Sequence, residues 1–312
     1  MHRTVLSLLQ CTAPGVFPAR LRSGRHISIV CAFTSHQTAP IWVAKTAIDG
    51  LGRASLRREY EALRYLAPWS DELCIPTVIA WDDGDRESCL VQSGVRGTVD
   101  LPMIPTDRST PVVPDIFEKA AVWLRRFRGL VPVPIALSMS GLVERLSEAF
   151  EPDEAADGEF AALLEFLQRS IPNESSPGVP VHGDFWAPNI MSSRTAISVI
   201  DWGGFATSFP LLDLFWFVGG HLYTRLGRLC TTAEAHCYAF FSRSSVRDFV
   251  QRELTDSAFT PSEARFYFYC YLAERIRCQT PARPVEWCGL LQRLRTNGYP
   301  GPCTSGIAYS DC

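Results

Sequence analysis

The 312-residue sequence has no long uninterrupted apolar run. Its most apolar stretch, residues 205–223, contains Pro210, Asp213 and His221. A helix that crosses a bilayer needs about 20 consecutive apolar residues, so we expect a buried helix here instead. The apolar stretch near the N-terminus is only about five residues long, shorter than the roughly 7–15 of a secretory signal. The sequence therefore predicts no membrane partner and a cytoplasmic location.

Paired cysteine motifs are also missing, although there are 11 cysteines. None of them forms the C-x-x-C pair that is typical of zinc or redox sites. Their number is odd and they are scattered from Cys11 to Cys312. This pattern predicts reduced thiols.

An excess of positive charge is absent, since 30 Lys and Arg residues face 33 Asp and Glu residues, for a net charge of −3. Nucleic-acid-binding and anionic-membrane-binding proteins present basic patches, so we expect neither partner. Lysine itself is scarce, because Lys45 and Lys119 are the only two. Lys45 lies inside the apolar strand pattern IWVAKTA and is a candidate for a specific role.

Hydrophobic residues make up 46% of the chain, which is typical of a globular protein with a buried core. The first part of the chain predicts a small antiparallel sheet from four β-branched and aromatic runs, residues 26–33, 40–47, 76–83 and 87–93. Between the second and third runs, apolar residues at helical spacing predict one amphipathic helix that ends before Pro68.

The rest of the chain has mainly helical patterns. Helices are predicted over residues 114–130, 141–150, 159–170, 211–226, 232–241, 261–280 and 285–294. Short strands are predicted around 179–181 and 197–200. Together these elements predict an α+β fold of two lobes, with an N-terminal lobe of residues 1–93, a hinge at 94–97 and a C-terminal lobe of residues 98–312.

Candidate catalytic residues lie in VPVHGDFWAPNIM, residues 179–191, and in the following SVIDWGG. Phosphoryl transfer needs a carboxylate near the acceptor hydroxyl, oxygen ligands for Mg2+ and a cation on the donor phosphates. Asp184 is the candidate base, and Asn189 and Asp201 supply oxygens of the kind that Mg2+ prefers. Lys45 supplies the cation, and Glu59 on the predicted helix is its expected partner.

Glu61 is the alternative partner of Lys45, although it points to another face of the same predicted helix. The choice between Glu59 and Glu61 depends on which face of the helix meets the sheet.

The ordered motifs VAK, RREYEAL, VHGDFWAPNIM and SVIDW resemble those of the aminoglycoside phosphotransferase and choline kinase family of small-molecule kinases. The resemblance runs from about residue 22 to residue 214. It implies a bilobal, protein-kinase-like fold with ATP, or alternatively GTP, in the cleft. It also implies that Asp184 is the catalytic base, that Asn189 and Asp201 hold Mg2+, and that Lys45, paired with Glu59, anchors the donor phosphates.

Further roles follow from the same resemblance. The hinge residues Gln92, Ser93 and Val95 would meet the nucleotide base through the backbone. Ser23 and Gly24 would belong to the loop over the phosphates, although this chain has a single glycine there. His182 and Asp213 would brace the catalytic loop.

The acceptor is less constrained by the sequence. The acidic segment 148–160 is either a solvated loop or a surface that attracts a polycationic acceptor such as an aminoglycoside. Tyr267, Tyr271 and Glu274 lie in a region that often shapes the acceptor pocket in the family. The sequence thus predicts phosphate transfer to a hydroxyl of an aminoglycoside, another antibiotic, or a sugar or amino-alcohol metabolite.

Two other functions are weighed against this prediction. A catalytically silent kinase-fold protein that binds a nucleotide or a partner is the main alternative, and the weak glycine loop is its only support. A protein kinase is disfavoured because HGD and IDW stand where those enzymes carry HRD and DFG.

Overall fold

The N-terminal part of the chain is an antiparallel sheet. The computed structural model describes residues 16–23, 26–34, 39–84, 88–99, 115–148, 157–172, 177–226, 232–241, 245–277 and 284–303. The sheet strands are β1 (Val16–Ser23), β2 (Ile27–Thr34), β3 (Trp42–Ala47), β4 (Val78–Asp83) and β5 (Ser88–Ser93). Their order is β1-β2-β3-β5-β4, and every neighbouring pair is antiparallel. Strand β1 was not predicted.

One long helix, α1 (Gly50–Leu66), packs on this sheet. It starts five residues before the predicted helix because the Asp49 side chain caps it, accepting a hydrogen bond of 2.8 Å from the Gly52 N–H. Gly52 has no room for a side chain, since a Cβ there would lie 2.1 Å from the carbonyl oxygen of His26. The buried face of α1 carries Leu56, Leu63 and Leu66, and Glu59 lies on the same face. A short helix, α2 (Ser70–Leu73), follows.

The rest of the described chain is mainly helical, as predicted. Its helices are α3 (Asp115–Leu130), α4 (Met139–Glu148), α5 (Asp157–Arg169), α6 (Leu212–Leu226), α7 (Thr232–Phe241), α8 (Ser245–Asp256), α9 (Pro261–Arg277) and α10 (Pro284–Thr296). Helix α8 was not predicted. Within the described ranges, none of the helices combines the length and the hydropathy that a membrane span requires.

Two small sheets place the catalytic motifs. Their strands are β6 (Thr98–Val99), β7 (Val179–Val181), β8 (Ile190–Ser192), β9 (Ile197–Val199) and β10 (Ala206–Ser208). Strands β8 and β9 form a hairpin, and the other edge of β8 pairs with β6. In the second sheet, β7 pairs with β10. The HGD motif thus lies between β7 and β8, and the IDW motif directly follows β9.

An aromatic cluster holds both motifs against α3. Trp123 of α3 stacks on Phe127 and Phe185 at centroid distances of 5.1 and 5.3 Å. Trp202, which follows Asp201, is fully buried beside them and donates its indole N–H to the carbonyl oxygen of Val199 at 3.0 Å. Burying each large aromatic side chain contributes about 2–3 kcal/mol. The catalytic segments therefore rest on a rigid support.

Candidate functional site

The two parts of the chain meet at a buried lysine. Lys45 projects from β3, and its Nζ lies 2.7 Å from both carboxylate oxygens of Glu59 on α1. The same Nζ lies 3.0 Å from Oδ1 of Asp201. Burial alone would lower the pKa of Lys45, but the two carboxylates outweigh it and raise that pKa. Lys45 therefore carries a fixed positive charge next to Asp201 of the candidate catalytic motifs.

The structure brings Glu59, and not Glu61, to Lys45. Glu59 is 2% exposed, whereas Glu61 lies on the solvent-facing side of α1. The two residues are two positions apart and so point to different faces of one helix.

Replacing Glu59 with Ala should lower the free energy of unfolding by about 3 kcal/mol, because it leaves the buried Lys45 ammonium with only Asp201 as a partner. Urea unfolding followed by circular dichroism measures this change. Glu61→Ala is the matched control on the same helix, and we expect it to change stability by less than about 0.5 kcal/mol. Equal effects of the two substitutions would show that the buried pair does not stabilise the lobe.

Asp213, at the start of α6, binds the backbone of the candidate catalytic loop. Its two carboxylate oxygens accept the backbone N–H groups of His182 and Gly183 at 2.7 and 3.0 Å. Burial raises the pKa of Asp213 to about 6. Gly183 has φ +81°, and a Cβ there would lie 2.2 Å from the carbonyl oxygen of Gly204. The HGD motif needs its glycine for this close approach.

The neutral imidazole of His182 connects the two motifs. Its Nε2–H donates to the carbonyl oxygen of Ile200 at 3.1 Å, and its Nδ1 accepts the N–H of Asp184 at 3.2 Å. Burial lowers the pKa of His182 to about 4, so the ring is uncharged at neutral pH. The backbone before Asp201 and the backbone of Asp184 are thereby held together.

Asp184 and Asn189 are hydrogen-bonded to each other. Nδ2 of Asn189 donates to Oδ2 and to the backbone carbonyl of Asp184, both at 2.9 Å. Burial raises the pKa of the Asp184 carboxyl, and the nearby charge of Asp201 adds to this effect. Asn189 thus fixes one carboxylate oxygen of Asp184 through its Nδ2 group.

Asn189 and Asp201 are neighbours across the β8–β9 hairpin. Ile190 pairs with Val199, and the Ile200 N–H donates to the carbonyl oxygen of Asn189 at 3.0 Å. Asp201 has φ +67°, in the left-handed region that residues other than glycine seldom adopt. Its side chain is 51% exposed, and Lys45 lowers its pKa. Such unusual backbone at a cleft residue is typical of functional sites.

These oxygens fit Mg2+, which keeps several waters and takes one or two protein ligands besides substrate phosphates. The ionised Asp201 and the Oδ1 of Asn189 supply that number. Nowhere in the described ranges do three or more His, Cys, Asp or Glu side chains form a self-sufficient metal site.

The predicted hinge residues differ in what they can offer. Gln92 lies inside β5 and is 2% exposed, and the Ser93 N–H is bound to the carbonyl oxygen of Thr77 at 2.8 Å. The N–H of Val95 has no partner in the described part of the chain. Of Gln92, Ser93 and Val95, Val95 is thus the residue whose backbone N–H can donate to a ligand. Ser23 is the last residue of β1, and Gly24 lies outside the described residues.

The candidate acceptor-binding residues are either buried or already paired with another side chain. Tyr267 and Tyr271 are 4% and 0% exposed, within the core of the C-terminal lobe, and Glu274 pairs with Arg277 at 2.7 Å. Of the acidic segment, residues 149–156 lie outside the described residues, and Glu159 pairs with Arg295 at 2.7 Å. Arg275, which the sequence did not single out, lies over the ring of Trp216, with its Cζ 4.5 Å from the ring centroid.

Comparisons with known proteins agree with this architecture. The sequence profile of the phosphotransferase enzyme family APH matches residues 36–249, and this match confirms the predicted resemblance. No curated protein matches the sequence significantly.

Solved structures of similar fold include three small-molecule complexes. The GDP and kanamycin complex of APH(2'')-IIia is 18% identical, with a TM-score of 0.53 over 95% of this chain and 99% of that one. A thermostable mutant of the aminoglycoside phosphotransferase APH(4)-Ia, with ADP and hygromycin B, is 12% identical, with a TM-score of 0.60 over 93% and 96%. Amicoumacin kinase hAmiN, with AMP-PNP, Ca2+ and Ami, is 8% identical, with a TM-score of 0.54 over 99% and 97%. At these identities the likeness shows a shared fold, and the predicted bilobal, protein-kinase-like α+β fold is confirmed.

Proposed function

Because this chain belongs to the phosphotransferase enzyme family, we propose that it is an ATP- and Mg2+-dependent kinase that phosphorylates a hydroxyl group of a small molecule. The observation that carries the proposal is the contact of one buried lysine with two carboxylates from different lobes, Glu59 at 2.7 Å and Asp201 at 3.0 Å. This contact assembles a cation and an ionised carboxylate at the edge of the catalytic loop. Phosphoryl transfer depends mainly on such positioning and charge.

In this proposal the two lobes have different roles. Residues 1–93 bind the nucleotide, residues 94–97 form the hinge, and residues 98–312 carry the catalytic loop and the acceptor. Val95 would bind the base through its N–H group, whereas Gln92 and Ser93 shape the strand before it. GTP remains the alternative donor, because a single backbone contact does not distinguish the two purines.

Asp184 would act as the base. Its Oδ2 is held by Asn189, and its other oxygen can accept the proton of the acceptor hydroxyl. A carboxylate with a raised pKa is a stronger base than an exposed one, which suits it to this role. Asn189 and Asp201 would hold Mg2+, which supplies charge neutralisation at the donor phosphates when it is bound. Lys45, oriented by Glu59, would contact the same phosphates as a point charge.

The proposal is tested by nucleotide consumption with Mg2+ and a panel of acceptors, including aminoglycosides, nucleoside antibiotics, sugars, amino alcohols and hydroxy acids. We expect consumption that depends on one acceptor class, with the phosphorylated product identified by mass spectrometry. Magnesium-dependent nucleotide binding without turnover on any acceptor would favour the catalytically silent alternative. Absence of nucleotide binding would refute the kinase.

A further inference from the structure

Arg275, near the end of α9, stacks on an aromatic ring of another helix. Its Cζ lies 4.5 Å from the ring centroid of Trp216 on α6. Trp216 is 7% exposed and Arg275 is half-buried, so the guanidinium lies over the indole at the border of the core. A stacked guanidinium of this kind keeps its edge, with its N–H donors, free to point away from the ring.

This pair lies next to the catalytic loop. Gly220, one turn after Trp216 on α6, faces Trp186, and a Cβ at Gly220 would lie 3.2 Å from the Cβ of Trp186. Trp186 is two residues after Asp184. Among the charges that act on Asp184, Arg275 is a cation that opposes the effects of burial and of Asp201 on its pKa. Arg275, on a helix of the C-terminal part of the chain, is therefore a positive charge close enough to act on the proposed base.

Arg275 forms no direct ion pair with a carboxylate in the described part of the chain. The ion pairs of α9 join Glu274 to Arg277 and leave Arg275 out. The Nε atom of Arg275 is buried and has no hydrogen-bond partner. A buried donor without a partner is unfavourable, and a planar guanidinium matches the two oxygens of a carboxylate or phosphate.

We infer that the acceptor carries an anionic group, a carboxylate or a phosphate ester, beside the hydroxyl that is phosphorylated, and that Arg275, held by Trp216, binds this group. The inference rests on the proposed function and narrows its substrate class. It disfavours a polycationic acceptor, which Arg275 would repel. Within the acidic segment, Glu159 is already paired with Arg295.

Small probes test the anion site without knowledge of the full acceptor. The wild-type protein is saturated with AMP-PNP and Mg2+, so that the Lys45 region is filled, and titrated with glycolate, glycerol 2-phosphate, ethylene glycol and kanamycin. Saturation-transfer NMR measures the affinity of each probe. We expect saturable binding of glycolate or of glycerol 2-phosphate, with the tighter one identifying the anion, and no binding of ethylene glycol or kanamycin.

Substitution of Arg275 identifies the residue responsible. We expect Arg275→Gln to weaken binding of the anionic probe at least about tenfold, since a charge-assisted hydrogen bond contributes about 1.5–3 kcal/mol. Arg275→Lys keeps the charge but loses the planar fork, so its affinity for the anionic probe should lie between those of the wild type and Arg275→Gln. This variant serves as the test if Arg275→Gln does not fold. Arg277→Gln, two positions away on the same helix, is the matched control and should bind the probe as the wild type does.

Three results would overturn the inference: no binding of either anion to the nucleotide-loaded protein, equal anion binding by the wild type and the Arg275 variants, or tighter binding of kanamycin than of the anions. Failure of AMP-PNP to bind the wild type at all would refute the proposed function itself, so the two failures are distinguishable.

Discussion

Replacing Asp184 with Asn should lower kcat by about 10²–10⁴-fold, the usual contribution of a positioned general base. Asparagine has nearly the same shape and can still accept the hydrogen bond that Asn189 donates at 2.9 Å. It cannot take a proton from a hydroxyl at neutral pH. The loop should therefore keep its structure, and the affinity for the magnesium nucleotide should stay within a few-fold of the wild type while turnover is lost.

Asp71→Asn is the control for this substitution, because Asp71 is an exposed aspartate of α2 in the other lobe. Steady-state kinetics on the acceptor identified by the panel, with nucleotide affinity from calorimetry, give both quantities. Normal turnover by Asp184→Asn would show that another group receives the proton, or that the acceptor reacts without a base.

Replacing Asp201 with Asn should weaken magnesium-dependent nucleotide binding by at least about 100-fold, because even the outer partners of metal ligands contribute about 10–100-fold. The change removes the ionised oxygen offered to the metal and one of the two carboxylates that contact Lys45. Asparagine is preferable to alanine, since Asp201 has φ +67° and asparagine tolerates the left-handed region. Loss of nucleotide binding by Asp201→Asn would therefore not be caused by backbone strain at this position.

Calorimetric titration with AMP-PNP in the presence and absence of Mg2+ measures this effect, and thermal unfolding shows whether the variant is folded. Asp256→Asn, at the exposed end of α8, is the control. If Asp201→Asn bound the nucleotide with unchanged magnesium dependence, Asp201 would not be a metal ligand.

The core of the site was predictable because its residues lie in short motifs with strong local geometry. Lys45 on a strand, Glu59 on the buried face of one helix and Asp201 directly after β9 are each placed by a periodicity that the sequence displays. Helical spacing places Glu59 and Glu61 on different faces, and the structure brings the face with Glu59 to Lys45, at 2.7 Å.

Strand β1 and helix α8 were missed for different reasons. Strand β1, VFPARLRS, carries a proline and two arginines, which an edge strand tolerates but which hide its strand character in sequence. Helix α8 has buried Val246, Phe249, Val250 and Leu254 at helical spacing, so its signal was present among many charged residues.

Residues defined by long-range contacts lie beyond sequence reasoning. Arg275 is one of many arginines in the chain, and its stacking on Trp216 joins two helices that are far apart in sequence. Gln92 was assigned to the hinge by position, but only the tertiary structure shows that its side chain is buried within β5 and that the N–H of Val95 has no partner among the described residues.

Calorimetric titration of the wild-type protein with AMP-PNP, with Mg2+ and with EDTA, tests the account most directly because it needs no acceptor. The proposed roles of Lys45, Asn189 and Asp201 predict one nucleotide bound per chain, with affinity reduced at least about tenfold by removal of the metal. Absence of binding, or binding that EDTA does not weaken, would contradict a magnesium-dependent phosphotransferase site in this cleft.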